Sequence, residues 1–281
     1  GVPCSLLENL GGLRFREVAV GAGVAVSGSG TPLAGMGVAL ADLDGDQRDD
    51  LAVTNFLDRG TVLFRSIGQG IYQDVSAASG VKAATRPATG FGIALEDLDN
   101  DGWTDLVQLN GHVLDRERLG IPFRMQPTLL RNRGAGSLEA ASASAGEWFL
   151  RPRLGRGLVW GDLDDDGRID LVAQALEEPV AVLWNESPPA HWLDVKFANG
   201  AAAAVTTWPI GGQVVVTAGG RARTRSVTSG SSYASSSSRS LHFGLGSAQI
   251  VDTLEVRWPD GRTWRRRGVA VDRALVIPHG D

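Results

Sequence analysis

Cysteine is almost missing from this chain: Cys4 is the only one in 281 residues. That excludes an internal disulfide framework and any zinc site built on paired cysteines. Long apolar runs are missing as well, and no stretch reaches the roughly 18 residues a membrane-spanning helix needs. Lysine is scarce, with Lys82 and Lys196 against 25 arginines, a bias that fits a GC-rich bacterial genome. No Met precedes Gly1 and no signal-like segment follows it, as in a processed form or a fragment. His112, His191, His242 and His279 are scattered, with no His-x-x-x-His pair that would mark zinc. No Gly-x-Ser-x-Gly elbow occurs, so Ser235–Ser238 near His242 do not form a recognisable hydrolase motif. "GLGSAQ" (244–249) lacks the third glycine of a dinucleotide fingerprint.

What is abundant is glycine, 37 residues, with aromatics at only 6%. This balance favours many short elements joined by tight turns over long helices. The length suits one large or two modest domains. Charge divides the chain: residues 1–190 carry 16 basic and 26 acidic groups, residues 191–281 carry 11 and 6. The break falls at "NESPPAHW", where Pro188-Pro189 interrupts any regular element. It predicts domains over 1–188 and 189–281.

A repeat dominates the first part. "GVALADLDGDQRDDLAVTN" (37–55), "GFGIALEDLDNDGWTDLVQLN" (90–110) and "GRGLVWGDLDDDGRIDLVAQA" (155–175) share one plan. Gly-x-Gly is followed by an alternating apolar run, then Asp-x-Asp-x-Asp, then an aspartate eight positions after the first. Between these copies lie "LLENLGGLRFREVAVGAGV" (6–24), "LFRSIGQGIYQDVSAASGV" (63–81) and "LLRNRGAGSLEAASASAG" (129–146). Each reads as a strand, a glycine turn and a second strand; "VLWNES" (182–187) begins a fourth copy and stops. One unit is then four antiparallel strands, and radially repeated units of that kind make a β-propeller.

Three aspartates at alternate positions of a short loop crowd like charges unless a cation sits among them. The spacing is that of an EF-hand-type calcium loop without its helices. Carboxylates at loop positions 1, 3, 5 and 9 are Asp42, Asp44, Asp46 and Asp50; Asp97, Asp99, Asp101 and Asp105; and Asp162, Asp164, Asp166 and Asp170. Position 7 offers a backbone carbonyl, that of Arg48, Trp103 or Arg168. Position 6 needs a sharp turn, which Gly102 and Gly167 supply and Gln47 does not. The reading is two to three Ca²⁺ ions, with the Asp42 loop the weakest site.

At these residues the chain resembles the FG-GAP (VCBS-type) repeats of integrin α-subunit propellers. Phe91-Gly92 supplies the name-giving dipeptide, from which Met36-Gly37 and Arg156-Gly157 depart. From Trp192 the pattern changes to alternating strands without acidic loops, and Trp258-Pro-Asp-Gly-Arg262 reads as a hairpin turn. Antiparallel strands over about 85 residues suggest a small sandwich or barrel. "VTSGSSYASSSSRSLHFGLG" (227–246) followed by "VDTLEVRWPDG" (251–261) resembles the ASPIC/UnbV domain. That domain typically follows FG-GAP repeats in the bacterial relatives of cartilage acidic protein 1.

The resemblance implies a non-catalytic, calcium-braced module outside the cytoplasm (secreted, periplasmic or at the cell surface) that recognises other macromolecules. Three acidic loops fall short of the roughly four blades needed to close a ring. The expectation is therefore an open array whose edges are covered by a protein partner, in a larger assembly or peripherally on a membrane complex. The other outcome is a small closed ring in which the N-terminal strands pair with the unfinished last blade. The alternative is an accessory or catalytic subunit of a biosynthetic system, but no acid, base and nucleophile converge outside the acidic loops. Arg265-Arg266-Arg267 reads as a solvated strand face or a patch docking on the acidic propeller, not as a nucleic-acid site. Trp160, Trp184, Trp192, Trp258 and Trp264 read as core or interdomain packing.

Overall fold

The structure is a computed structural model that describes residues 1–198 and 208–278; His279 lies outside the described residues. The chain opens with a hairpin of β1 (Leu7–Asn9) and β2 (Phe15–Glu17), then the single turn α1 (Ala19–Ala22). The first blade is an in-order antiparallel sheet of β3 (Val38–Ala41), β4 (Asp50–Val53), β5 (Val62–Gly68) and β6 (Ile71–Asp74). After α2 (Val81–Thr85) comes the second blade, β7 (Gly90–Glu96), β8 (Asp105–Asn110), β9 (Thr128–Asn132) and β10 (Leu138–Ala140). After α3 (Glu147–Leu150) the third blade has three strands, β11 (Gly155–Gly161), β12 (Asp170–Ala175) and β13 (Ala181–Leu183).

The cores sit between blades, as a propeller-like arrangement requires. Small side chains of the first blade, Ala39, Ala41 and Ala52, meet Ile93, Leu95 and Leu106 of the second. Ala94, Val107 and Leu109 of the second blade meet Leu158, Leu171 and Ala173 of the third. The repeated Gly-x-Gly has a packing cause. A Cβ on Gly37 would collide with the carbonyl oxygen of Phe91, and one on Gly92 would lie 2.6 Å from that of Arg156. The second glycine of the first two motifs is thus where the next inner strand presses its backbone, while Gly157 of the third faces the Ser235 side chain instead.

The C-terminal module comprises β14 (His191–Ala198), β15 (Gln213–Ala218), β16 (Arg221–Ser226), β17 (Leu241–Gly246), β18 (Ile250–Arg257), β19 (Thr263–Ala270) and β20 (Arg273–Pro278). Two sheets, β17-β14-β20 and β16-β15-β18-β19, enclose a core that includes Leu193, Val195, Val214, Phe243 and Leu254. The turn at Trp258–Arg262 forms as expected, with Trp258 N–H donating to the Arg262 carbonyl at 2.8 Å. The all-antiparallel expectation fails at one pair: β14 and β20 are parallel. They are the module's first and last strands, and the intervening strands supply the long crossover that parallel pairing needs.

The array is covered from within. The serine-rich segment of the C-terminal module crosses the inner strands of all three blades. Val38 and Ser232 exchange backbone hydrogen bonds, Ile93 N–H donates to Ser232 Oγ at 3.0 Å, and Ser238 N–H donates to the Trp160 carbonyl at 3.1 Å. The chain's own module lies across these inner strands.

Candidate metal centres

Each acidic loop joins the first two strands of a blade, and alternation brings its carboxylates together. One oxygen each from Asp42, Asp44 and Asp46 lie within 4.8 Å of one another; the same holds for Asp97, Asp99 and Asp101, and for Asp162, Asp164 and Asp170. Positions 1, 3 and 5 therefore converge in two loops and positions 1, 3 and 9 in the third. Asp166 instead pairs with the Arg168 guanidinium, as Asp46 does with Arg48 and both Asp99 and Asp101 do with Arg131.

The first aspartate of each loop holds the turn. Asp42 accepts from the N–H groups of Gly45 (2.8 Å), Asp46 (3.1 Å) and Gln47 (2.9 Å), Asp97 from Gly102 (2.7 Å), and Asp162 from Asp166 (3.1 Å) and Gly167 (2.9 Å). Gln47 has the left-handed φ of 68° that its position predicts. Position 4 is left-handed as well: Gly45 in the first loop, Asn100 (φ 57°) in the second and Asp165 (φ 60°) in the third. Each loop thus has one glycine and one non-glycine at its two left-handed positions. Strain at Gln47 alone does not set the first loop apart.

The ninth position has a further task in all three loops. Asp50 accepts from Leu43 N–H at 3.1 Å and Ser66 N–H at 2.8 Å. Asp105 does the same with Leu98 (3.2 Å) and Asn132 (2.8 Å), and Asp170 with Leu163 (3.0 Å) and Asn185 (2.8 Å). Each ties its own loop to the third strand or third-strand end of its blade. Asn132 then donates to the Leu43 carbonyl at 2.9 Å and Asn185 to that of Leu98 at 2.7 Å, stapling each blade to the loop of the one before. The sequence signal for these staples was the Asn recurring in "LLRN" and "VLWN".

Crowding shows in the acidities. Burial pushes Asp42 up to about 6 and Asp50 and Asp105 up to about 7, with neighbouring aspartates adding to it. Asp97 goes well above the usual carboxylate range, through burial first and then repulsion from Asp105, Asp101 and Asp99. Its Oδ1 is buried without a hydrogen-bond partner among the described residues. An orphaned carboxylate oxygen facing two further carboxylates is what a hard, oxygen-seeking dication would satisfy, so the residues present fit calcium.

The C-terminal module rests on the second loop. Arg221 donates to the Gly102 carbonyl at 2.6 Å and stacks 3.2 Å over the Trp103 ring. His242, stacked on Trp192, shares a 2.7 Å hydrogen bond with Asn100 Oδ1, and burial depresses its pKa to about 3. The face of β17 opposite Leu241 and Phe243 is therefore an interdomain contact. The docking arginines are Arg221 and Arg225, on a period-two basic face in "RARTRS" that the sequence reading passed over. Arg266 and Arg267 are exposed and Arg265 pairs with Glu255 within its own sheet, a solvated face. Trp258 is core, Trp160, Trp192 and Trp264 are packed, and Trp184 is 56% exposed.

Comparison with known proteins agrees with this anatomy. An FG-GAP-like repeat model matches residues 42–107, and an ASPIC and UnbV model matches residues 203–281. No curated protein sequence matches the chain. One similar solved structure is an Agrocybe aegerita lectin, titled for its recognition of non-reducing terminal N-acetylglucosamine. It is 19% identical with a TM-score of 0.34, over 65% of this chain and 43% of that one. Repeat, blades, loops and C-terminal sandwich lead to one description: the protein is an FG-GAP-like repeat propeller followed by an ASPIC and UnbV domain.

Proposed function

We propose that this protein is a non-catalytic, calcium-braced interaction module that works outside the cytoplasm as part of a larger assembly. The observation that carries the reading is the buried, unpartnered Asp97 Oδ1 at the head of three converging carboxylates, repeated in plan by the Asp42 and Asp162 loops. Bound calcium would neutralise these carboxylates, with Asp42, Asp44 and Asp46, Asp97, Asp99 and Asp101, and Asp162, Asp164 and Asp170 as its holders, joined by the position-7 carbonyls. The chain's own residues then do the bracing: position 9 ties loop to blade, and the asparagine staples tie blade to blade. Among the described residues no helix is long and apolar enough to cross a membrane. Extracellular calcium is abundant enough to fill modest sites of this kind, which favours an extracytoplasmic setting. The test is a thermal melt with and without a calcium chelator. A fall in melting temperature supports the reading, and an unchanged one defeats the structural role of calcium.

A further inference from the structure

The three acidic loops do not meet the C-terminal module alike, and the second is its seat. Gly246 N–H donates to the Asn100 carbonyl at 2.7 Å, and Arg221 donates to the Gly102 carbonyl at 2.6 Å. His242 Nε2 shares a 2.7 Å hydrogen bond with Asn100 Oδ1. Asp97 and Asn100 are only 4% and 2% exposed. Strand β17 presses so close that a Cβ on Gly244 would collide with Asp97 Oδ2 and lie 2.5 Å from Asn100 Cα. The first loop meets the module through Asp49, which takes the Ser226 hydroxyl and is not one of the four spaced aspartates.

The module also gives the glycines at loop position 6 a packing cause. A Cβ on Gly102 would lie 2.5 Å from Arg223 Nε, and one on Gly167 would collide with the Trp192 indole. Gln47, at that position of the first loop, is exposed. Asn100 carries the contact onward, since its Nδ2 donates to the Gly167 carbonyl of the third loop at 2.8 Å.

The carbonyls that the module uses are interleaved with the candidate calcium ligands. That of Asn100 belongs to the peptide joining it to Asp101, and that of Gly102 to the peptide joining it to Trp103. Both acceptors are therefore flanked by loop positions 3, 5 and 7, and each turns with a rigid peptide plane. Carboxylates at positions 1, 3 and 5 repel one another unless a cation neutralises them. Repulsion inside this loop thus moves the seat itself.

We propose that calcium in the second loop is coupled to docking of the C-terminal module: the filled loop presents the seat, and the emptied loop releases the module from the propeller. The coupling is reciprocal, so the docked module also tightens the loop's hold on the ion. This rests on reading the loops as calcium sites, and the two fail separately, because a fall in melting temperature on chelation needs no parting of the domains.

Hydrogen–deuterium exchange on the full chain, with calcium and after stripping it, tests the proposal. The reporting amides are Ser232, Ser238 and Gly246, whose acceptors lie in the propeller at Val38, Trp160 and Asn100. Stripping is expected to speed these three at least tenfold more than it speeds β18 and β8, the central strands of either domain. Equal acceleration, which global unfolding alone produces, overturns the proposal, and so does unchanged exchange. In saturating calcium, Asp99→Asn is expected to give the same selective release and Asp44→Asn is not; release by both overturns the assignment to the second loop. Calorimetry supplies the reciprocal measurement. Arg225 holds the module to Glu96 from outside the loop. Losing its positive charge by itself would tighten calcium binding nearby, whereas losing the docked state weakens it. Arg225→Ala is expected to weaken, by about fivefold or more, the binding event that Asp99→Asn abolishes. Unchanged or tighter binding overturns the coupling.

Discussion

Arg225 of the C-terminal sandwich pairs with Glu96 of the second blade at 2.7 Å, with only 11% of each side chain exposed. Arg225 also donates to the Leu95 carbonyl at 3.1 Å, and burial raises the Glu96 pKa while Arg225 opposes that rise. Removing one partner strands the other charge in a poorly solvated interface. Arg225→Ala is expected to cost about 3–5 kcal/mol, measured by urea unfolding. A cost under about 1 kcal/mol would show that water reaches Glu96 and that the pair does not hold the domains together.

The asparagine staples give a second expectation. Asn132 Nδ2 donates to the carbonyls of Leu43 (2.9 Å) and Thr104 (3.0 Å), both across blade-to-loop contacts. Asn132→Ala leaves these acceptors without that donor and is expected to cost about 1–3 kcal/mol. Asn132→Asp keeps the size but loses the donors, so it is expected to be no better than alanine. Chemical denaturation of the two variants decides it; a fully stable aspartate variant would mean the amide contributes nothing.

Loop strain gives a third. Gln47 sits at φ 68° beside a loop that already spends its glycine at position 4. Gln47→Gly relieves about 1 kcal/mol of backbone strain that the ion-free fold already carries, so it is expected to raise stability and to leave the calcium affinity of the first loop unchanged. Urea unfolding and titration calorimetry on wild type and variant measure the two. A tighter affinity without a gain in stability would show that the strain belongs to the loaded loop alone.

Acidity gives the fourth. Asp50 and Asp105 stand at about 7 and Asp42 at about 6 in the ion-free fold, against a usual 3.8. A folded pKa raised above the unfolded one contributes stability that is full below about pH 4 and lost as pH rises through the folded value. The calcium-free loops should therefore destabilise progressively from about pH 4 to 7, between the unfolded value of those three groups and their folded values. Calcium-loaded protein behaves oppositely, because protons compete for its ligands. His242 works against the acid gain: its pKa is depressed to about 3, so its contribution is present above 6.5 and fades as pH falls. The gap in melting temperature between loaded and depleted protein should be widest at neutral pH and narrow toward pH 5. Depleted protein is best prepared in metal-free buffer, since chelators weaken in acid. A gap that stays constant over that range would refute the crowding account.

The sequence by itself determined whatever depends on local chemistry. Aspartates at loop positions 1, 3, 5 and 9, repeated after Gly-x-Gly, were legible because turn conformation and carboxylate spacing are set within a dozen residues. The blade plan was legible for the same reason, since period-two alternation and glycine turns are local signals. Only the tertiary structure decided what faces what. Gly37 and Gly92 are required by a neighbouring backbone more than fifty residues away, and nothing local reveals that. Asp50, Asp105 and Asp170 look like further ligands in sequence, and the structure adds that each accepts from backbone N–H groups of its loop and of the third-strand position, Asp170 while converging with Asp162 and Asp164. His242 on β17 and Arg225 on β16 look like surface polar groups on alternating strands, and they are buried because the second face of each strand meets the propeller. The crossing of the inner strands was decided in the same way: the serine-rich segment reaches them from over a hundred residues downstream of the first blade. Long-range packing brings together groups whose separation along the chain carries no trace of their contact, and that is where the sequence stopped informing and the fold began.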